Sequence, residues 1–232
     1  MLKPKKKITK KEIKRDPLLE TTFKAQTYLK KNRASVTRIA IGVAVVVIIA
    51  YVLIGQNRTR NTEARTAFGK ALVAYASNDL DNARLQFEFV SDEYSGKKQG
   101  AMADYYLGKI LYDQNDFSAA KLALEDYIKS SQVELLTSNA FIMLSDIYVG
   151  EGDLQTSIKM VKNAIKSASN VSAKAGQQII LAELLLGNDQ ATESMKIVDQ
   201  LLTDDTIPTL VKNQAEQLAG KLLALVPPQT FK

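Results

Sequence analysis

Nineteen consecutive positions between Arg38 and Arg58 carry no charge, and from Ile39 to Ile54 only Gly42 and Tyr51 depart from plain aliphatic character. At 1.5 Å rise per residue a helix of that length reaches about 28 Å, the hydrocarbon thickness of a bilayer. The run is too long for a buried strand, and lipid demands a segment that satisfies its own backbone amides. It predicts one transmembrane helix over residues 38–57, with Tyr51 as an interfacial anchor. Beyond residue 58 the apolar residues recur at helical spacing, interrupted by short polar turns. Asn78-Asp79-Leu80, Asn115-Asp116-Phe117 and Gly152-Asp153-Leu154 align without gaps, followed by the small residues Ala83, Ala120 and Ser157 in steps of 37. Ahead of each turn stand Phe68, Leu72 and Tyr75; Tyr106, Leu107, Ile110 and Leu111; Leu144, Ile147 and Tyr148. Behind come Phe87, Val90 and Tyr94; Leu124, Tyr127 and Ile128; Val161, Ala164 and Ile165. Each repeat therefore reads as helix–turn–helix, with Asn/Gly-Asp supplying the turn and the cap of the second helix.

A fourth, weaker repeat follows at the same step, with Leu181-Ala182, Leu185, a Gly187-Asn188-Asp189 turn, Ser194, Val198 and Leu201. A last helix over 210–225, stopped by Val226-Pro227-Pro228, has no partner after it and reads as a terminal cap. The expected fold is all-α: one amino-terminal transmembrane helix, then an α-solenoid of about four helical hairpins closed by a capping helix.

Charge divides the chain at the same place. Residues 1–38 hold thirteen Lys/Arg against three acids, a net of +10, and the remainder holds 18 against 22, a net of −4. Residues 1–15 cannot bury a core and are expected to be a disordered basic tail. Residues 16–37, opening on Asp16-Pro17 with Leu18, Leu19, Phe23, Gln26 and Leu29 near one side, read as an amphipathic helix at the membrane surface. Without interleaved aromatics in the basic tail, contact with anionic lipid is favoured over nucleic acid. The positive arm predicts a cytoplasmic amino terminus, an uncleaved anchor, an exported domain over 58–226 and a short tail over 227–232.

The chain has no Cys, no His and no Trp. That removes zinc fingers, iron–sulfur clusters, disulfides and every nucleophile system built on Cys or His. Ser118…Lys121 and Ser95…Lys98 match a serine–lysine spelling, but one opens a second helix and the other lies between repeats, with no supporting motif. Gly69-Lys70 and Gly220-Lys221 lack the spacing of a phosphate loop. No catalytic residue, cofactor, metal or small-molecule substrate is expected.

The repeats resemble the tetratricopeptide repeat. Its pattern is matched best by Leu107-Gly108, Leu111, Asn115-Asp116-Phe117, Ala120 and Leu124, and next by Leu144-Ser145, Tyr148, Gly152-Asp153-Leu154, Ser157 and Val161. The family's early Trp and closing Pro are missing, and the period is 37 where the usual repeat has 34. The resemblance covers about 62–225 and implies partner binding on the concave surface made by first helices. Carried over repeat by repeat, the inward positions are Arg65, Phe68, Leu72 and Tyr75; Met102, Tyr105, Lys109 and Tyr112; and Asn139, Ile142 and Asp146. The alternative is that some of these rings pack against the chain's own helices. The whole layout is similar to the bacterial ancillary subunit of the Sec translocon (YfgM-like). That resemblance implies a single-pass inner-membrane protein with a periplasmic repeat domain that meets translocon subunits, periplasmic chaperones or client segments. The other reading is a repeat adaptor for cell-envelope assembly or division, unrelated to Sec.

Overall fold

The computed structural model describes residues 17–130 and 134–225. The predicted disordered tail over 1–15, the short tail over 227–232 and the Val226-Pro227-Pro228 stop lie outside the described residues. Ten helices and no strands are present among the described residues. They are α1 (Pro17–Lys31), α2 (Arg33–Ala76), α3 (Leu80–Glu93), α4 (Lys98–Asp113), α5 (Phe117–Ser130), α6 (Glu134–Gly150), α7 (Leu154–Lys166), α8 (Val171–Gly187), α9 (Ala191–Thr203) and α10 (Thr209–Leu225).

By internal packing the chain divides into two parts, Met1–Thr59 and Arg60–Lys232. In the first part α1 exposes Phe23, Tyr28 and Leu29, and α2 exposes every large apolar side chain from Ile39 to Ile54. α2 is the one described helix long and apolar enough to cross a membrane. Such a side-chain set has no protein core to enter, and lipid is the solvent in which it costs nothing.

In the second part consecutive helices pack antiparallel in hairpins α2–α3, α4–α5, α6–α7 and α8–α9, and α10 closes the last hairpin. Each hairpin turns in the same way. Asn78, Asn115, Gly152 and Asp189 take positive φ, at 59°, 63°, 80° and 58°, and stand 37 residues apart. At each, the next residue's N–H reaches back to a carbonyl five residues earlier: Asp79 to Ala74 at 3.0 Å, Asp116 to Leu111 at 2.9 Å, Asp153 to Tyr148 at 2.9 Å and Gln190 to Leu185 at 2.8 Å. This is a Schellman ending, which needs a residue that tolerates the left-handed region. Asn, Asp and Gly are the types that do so at least cost. In the fourth repeat Gly187 is the last residue of α8, so Asp189 and not the glycine makes the left-handed bend. The following Asp then caps the second helix in the first three repeats: Asp79 accepts from Asn82 N–H at 3.4 Å, Asp116 from Ala119 N–H at 3.2 Å and Asp153 from Thr156 N–H at 3.0 Å. Gln190 gives no such bond, which accounts for the weaker fourth signature.

Small residues set how closely the paired helices cross. Ala71, Gly108, Ser145 and Ala182 on first helices are buried, as are Ala83, Ala120, Ser157 and Ser194 on second helices. Where serine stands in this layer it is satisfied locally: Ser145 and Ser157 share a hydrogen bond of 2.8 Å, and Ser194 donates to the Ala182 carbonyl at 2.7 Å. Between repeats one and two the core is aromatic. Phe87 stacks on Tyr106 with centroids 5.2 Å apart, Tyr75 packs edgewise on the pair and Phe68 lies tilted against both. α10 buries Val211, Ala215, Leu218 and Leu222 against α8 and α9 and so ends the solenoid.

Candidate binding surface

The eleven predicted inward positions lie on α2, α4 and α6, but they do not form one exposed patch. Phe68 is 6% exposed and Tyr105 is 5% exposed, so both are core residues. Phe68 is held by Phe87 and Tyr106, and Tyr105 by Tyr106 and Tyr127 with centroids 5.4 Å apart. Neither ring is available to a partner, and removing either opens a cavity. Leu72, Tyr75 and Met102 are half-buried against the first core cluster. Arg65, Asn139 and Asp146 are exposed, and Lys109, Tyr112 and Ile142 are half-buried.

What the structure brings together is a groove over the later first helices. Tyr112 of α4 donates a hydrogen bond to the Asp146 carboxylate of α6. Beside it a hollow of about 510 Å³ is floored by Ile142, Val149, Ile180 and Leu184 and edged by Asp146 and Glu183. A second hollow, of about 530 Å³, shares Ile142, Ile180 and Glu183 and runs on past Gly176 to Gln217 and Lys221 of α10. The apolar floor with polar margins suits a peptide segment better than a small ion. Gln177, also on this wall, donates to Ser138 Oγ at 2.6 Å, while its own buried Oε1 has no partner. The α8 and α10 contributions were missed in the sequence. The 37-residue step that leads from Met102 to Asn139 leads on to Gly176, and the one from Lys109 to Asp146 leads on to Glu183.

Electrostatics here are local. Lys109 Nζ lies 2.8 Å from Asp113, a pairing that raises the lysine's pKa. On the opposite side Lys121 binds Glu151 at 2.7 Å and sits 4.1 Å over the Tyr148 ring. Among the described residues no group of three or more acids stands as a metal site. Burial and the Asp146 bond push the Tyr112 hydroxyl up to about 12. Burial also raises Tyr105, Tyr127 and Tyr148. A phenol whose folded pKa lies above its unfolded value near 10 supports folding fully below that unfolded value. The support is then lost as pH rises through the folded pKa. Thermal denaturation followed by circular dichroism should therefore show no tyrosine-linked change below about pH 10 and a decline between about pH 10 and 12. Tyr112→Phe should make that decline shallower.

A family model for the tetratricopeptide repeat-like domain matches residues 26–175. The chain belongs to that family. Domains of this family are protein–protein interaction scaffolds. No curated protein sequence matches the chain. Solved structures with the same fold include MamA protein, with 13% identity and a TM-score of 0.55 over 69% of this chain and 81% of that one. YrrB, described as a TPR protein with an unusual peptide-binding site, gives 12% identity and a TM-score of 0.51 over 70% and 86%. A Podosopora anserina putative kinesin light chain with TPR-like repeats gives 14% and 0.50 over 71% and 95%. At these identities the likeness is one of fold.

Proposed function

We propose that the protein is a membrane-anchored scaffold whose repeat array binds protein segments on the exported face of a bacterial plasma membrane. Its finer role is that of an accessory subunit of the Sec translocon, meeting chaperones or emerging clients. The observation that carries the reading is the joint succession of a +10 arm, an uncharged helical stretch and a tetratricopeptide array in one chain. The family match supports it, since it begins at residue 26 and runs through the apolar stretch and three repeats into the first helix of the fourth. The matched range therefore includes the apolar stretch as well as repeat residues. Charge asymmetry orients the anchor with its amino terminus in the cytoplasm. The groove of Tyr112, Ile142, Ile180 and Glu183 is the surface assigned to the partner, by analogy of fold with a peptide-binding repeat protein.

The test is crosslinking in intact membranes. A photoreactive residue in place of Asn139 should capture channel subunits or a periplasmic chaperone, and Ile142→Glu should reduce that capture several-fold while leaving the helical signal unchanged. If Asn139 captures envelope-assembly or division proteins and never the channel, the Sec role is wrong and the scaffold reading stands. If it captures nothing while other faces do, the groove assignment is wrong.

A further inference from the structure

A hollow larger than either part of the groove just described lies elsewhere in the array. It lies within Arg60–Lys232, on the open side of the first hairpin, and has a volume of about 1010 Å³. Thr62, Thr66, Gly69 and Val73 of α2 line one wall, Gln86 and Phe89 of α3 the other. Val73 is 67% exposed and Phe89 56% exposed, an unusual display for side chains of that size.

Elsewhere in the solenoid this face is covered. Ala103 and Ile110 stand one 37-residue step beyond Thr66 and Val73, and both are fully buried in the cluster that contains Phe87 and Val90 of the preceding second helix. Among the described residues no repeat, and so no second helix of a repeat, comes before the first hairpin. The site is shaped for a helix.

We propose that the helix it receives is α2 of a second copy of this chain, the two lying parallel and in register. The proposal rests on the membrane-anchored reading, because two copies anchored in one bilayer present α2 in the same direction. The first argument is spacing. Thr62, Thr66, Gly69 and Val73 alternate by four and three, and the same alternation continues back through Thr59, Gly55, Val52, Ile48, Val45 and Ile41. That is a heptad a/d seam of ten positions without one charge. The charged residues of this stretch of α2, Arg58, Arg60, Glu63, Arg65 and Lys70, all fall off it. A period of 3.5 is what lets two helices stay in contact along their length. Register follows from the seam, since the flanking charges divide: Arg58 would face Glu63 of the second copy favourably, and Arg65 would face Lys70 of the second copy unfavourably.

The second argument is the glycines. Gly inside a helix costs about 1 kcal/mol relative to Ala, so it asks for a reason. Gly108 has one within the chain, where an added Cβ would meet Leu124 at 2.7 Å. The three glycines of α2, Gly42, Gly55 and Gly69, have none, with nothing within 4 Å of an added Cβ; Gly42 stands one residue off the seam, and Gly55 and Gly69 sit on it two heptads apart. Close approach of another helix is the use that small residues serve in such seams, in lipid above all.

The chain has no cysteine, so single-cysteine variants of the full-length protein give a clean readout in native membranes. Thr66→Cys and Val73→Cys, oxidised with copper phenanthroline, should each yield a reducible species of twice the monomer mass, whereas Glu216→Cys on α10 should not. Adding Gly69→Leu to Thr66→Cys should lower the dimer yield several-fold while circular dichroism stays unchanged. Equal dimer at Glu216→Cys means random encounter and overturns the proposal. So does the absence of dimer at both seam positions, or a disulfide formed there only with a protein of different mass. Carbonate extraction of the same membranes tests the anchor separately. If the chain washes out, the anchor reading fails, and the Thr66→Cys disulfide still decides the pairing by itself.

Discussion

Replacement of Phe87 by Ala is expected to lower the stability of the array by about 3–5 kcal/mol, the cost of emptying a fully enclosed aromatic site. Phe87 is 0% exposed. Its ring lies 5.2 Å from Tyr106, 5.7 Å from Phe68 and 6.4 Å from Tyr75, so the ring joins three helices across two repeats. Truncation removes contacts within the first hairpin and across its junction with the second, and Phe68 cannot swing into the gap because it is itself packed on Tyr106. A solenoid's stability is a sum of hairpin and nearest-neighbour contributions, so the loss should be confined. Hydrogen exchange on the full chain in mild detergent should rise by about two to three and a half orders of magnitude in α3 and the first turns of α4, which corresponds to the stated range at about 1.4 kcal/mol per decade. α8 to α10 should exchange as before. A uniform rise along every helix would show that the array opens as one block. A change below one decade would mean that the ring is not enclosed.

The same burial explains which parts of the binding surface could be read from the sequence. The repeat boundaries were legible because they rest on local requirements: a left-handed residue at 78, 115, 152 and 189, and small side chains where two helices of one hairpin cross. Such demands leave a residue type at a fixed spacing. Exposure on the inner surface is different in kind. Whether position 105 faces solvent depends on how the α6 helix of the next repeat leans on α4, and Tyr105 is closed over by Tyr106, Tyr127 and a hydrogen bond with Asn139. No periodicity encodes that lean. The floor of the groove, Ile142 with Ile180, needed only the 37-residue step to be carried into the fourth repeat, but the missing cap at Gln190 and a helical Gly187 made that repeat look less regular than it is. The open face of the first hairpin escaped notice for the opposite reason. Thr66 and Val73 match the buried Ala103 and Ile110 of the next repeat, and among the described residues no earlier repeat supplies a second helix to cover them.

A bulkier residue at Gly108 should also destabilise the array, less than the loss of Phe87 and by the reverse mechanism. A Cβ at this position would stand 2.7 Å from Leu124 Cγ, 2.9 Å from its Cδ2 and 3.3 Å from its backbone nitrogen. Leu124 is 0% exposed and has no free volume to move into, and the nitrogen belongs to α5 itself, so relief requires α4 and α5 to separate. The other repeats admit Ala71, Ser145 and Ala182 at the equivalent point, which shows that the crossing tolerates a Cβ where the facing side chain is not a leucine in this position. Gly108→Val is therefore expected to cost about 1–3 kcal/mol, the usual range for overpacking, with poor helix propensity offering no relief. Gly108→Ala should cost less, because the gain in helix propensity of about 1 kcal/mol opposes the clash. The decisive measurement is a double-mutant cycle by chemical denaturation. Leu124→Ala alone empties a buried site and destabilises, but in the Gly108→Val background the valine enters the space that leucine left. The double variant should be less destabilised than the two single losses added together, by at least about 1 kcal/mol. Additive losses would separate the two residues energetically and place the constraint on Gly108 in the backbone of α4 instead of at its crossing with α5.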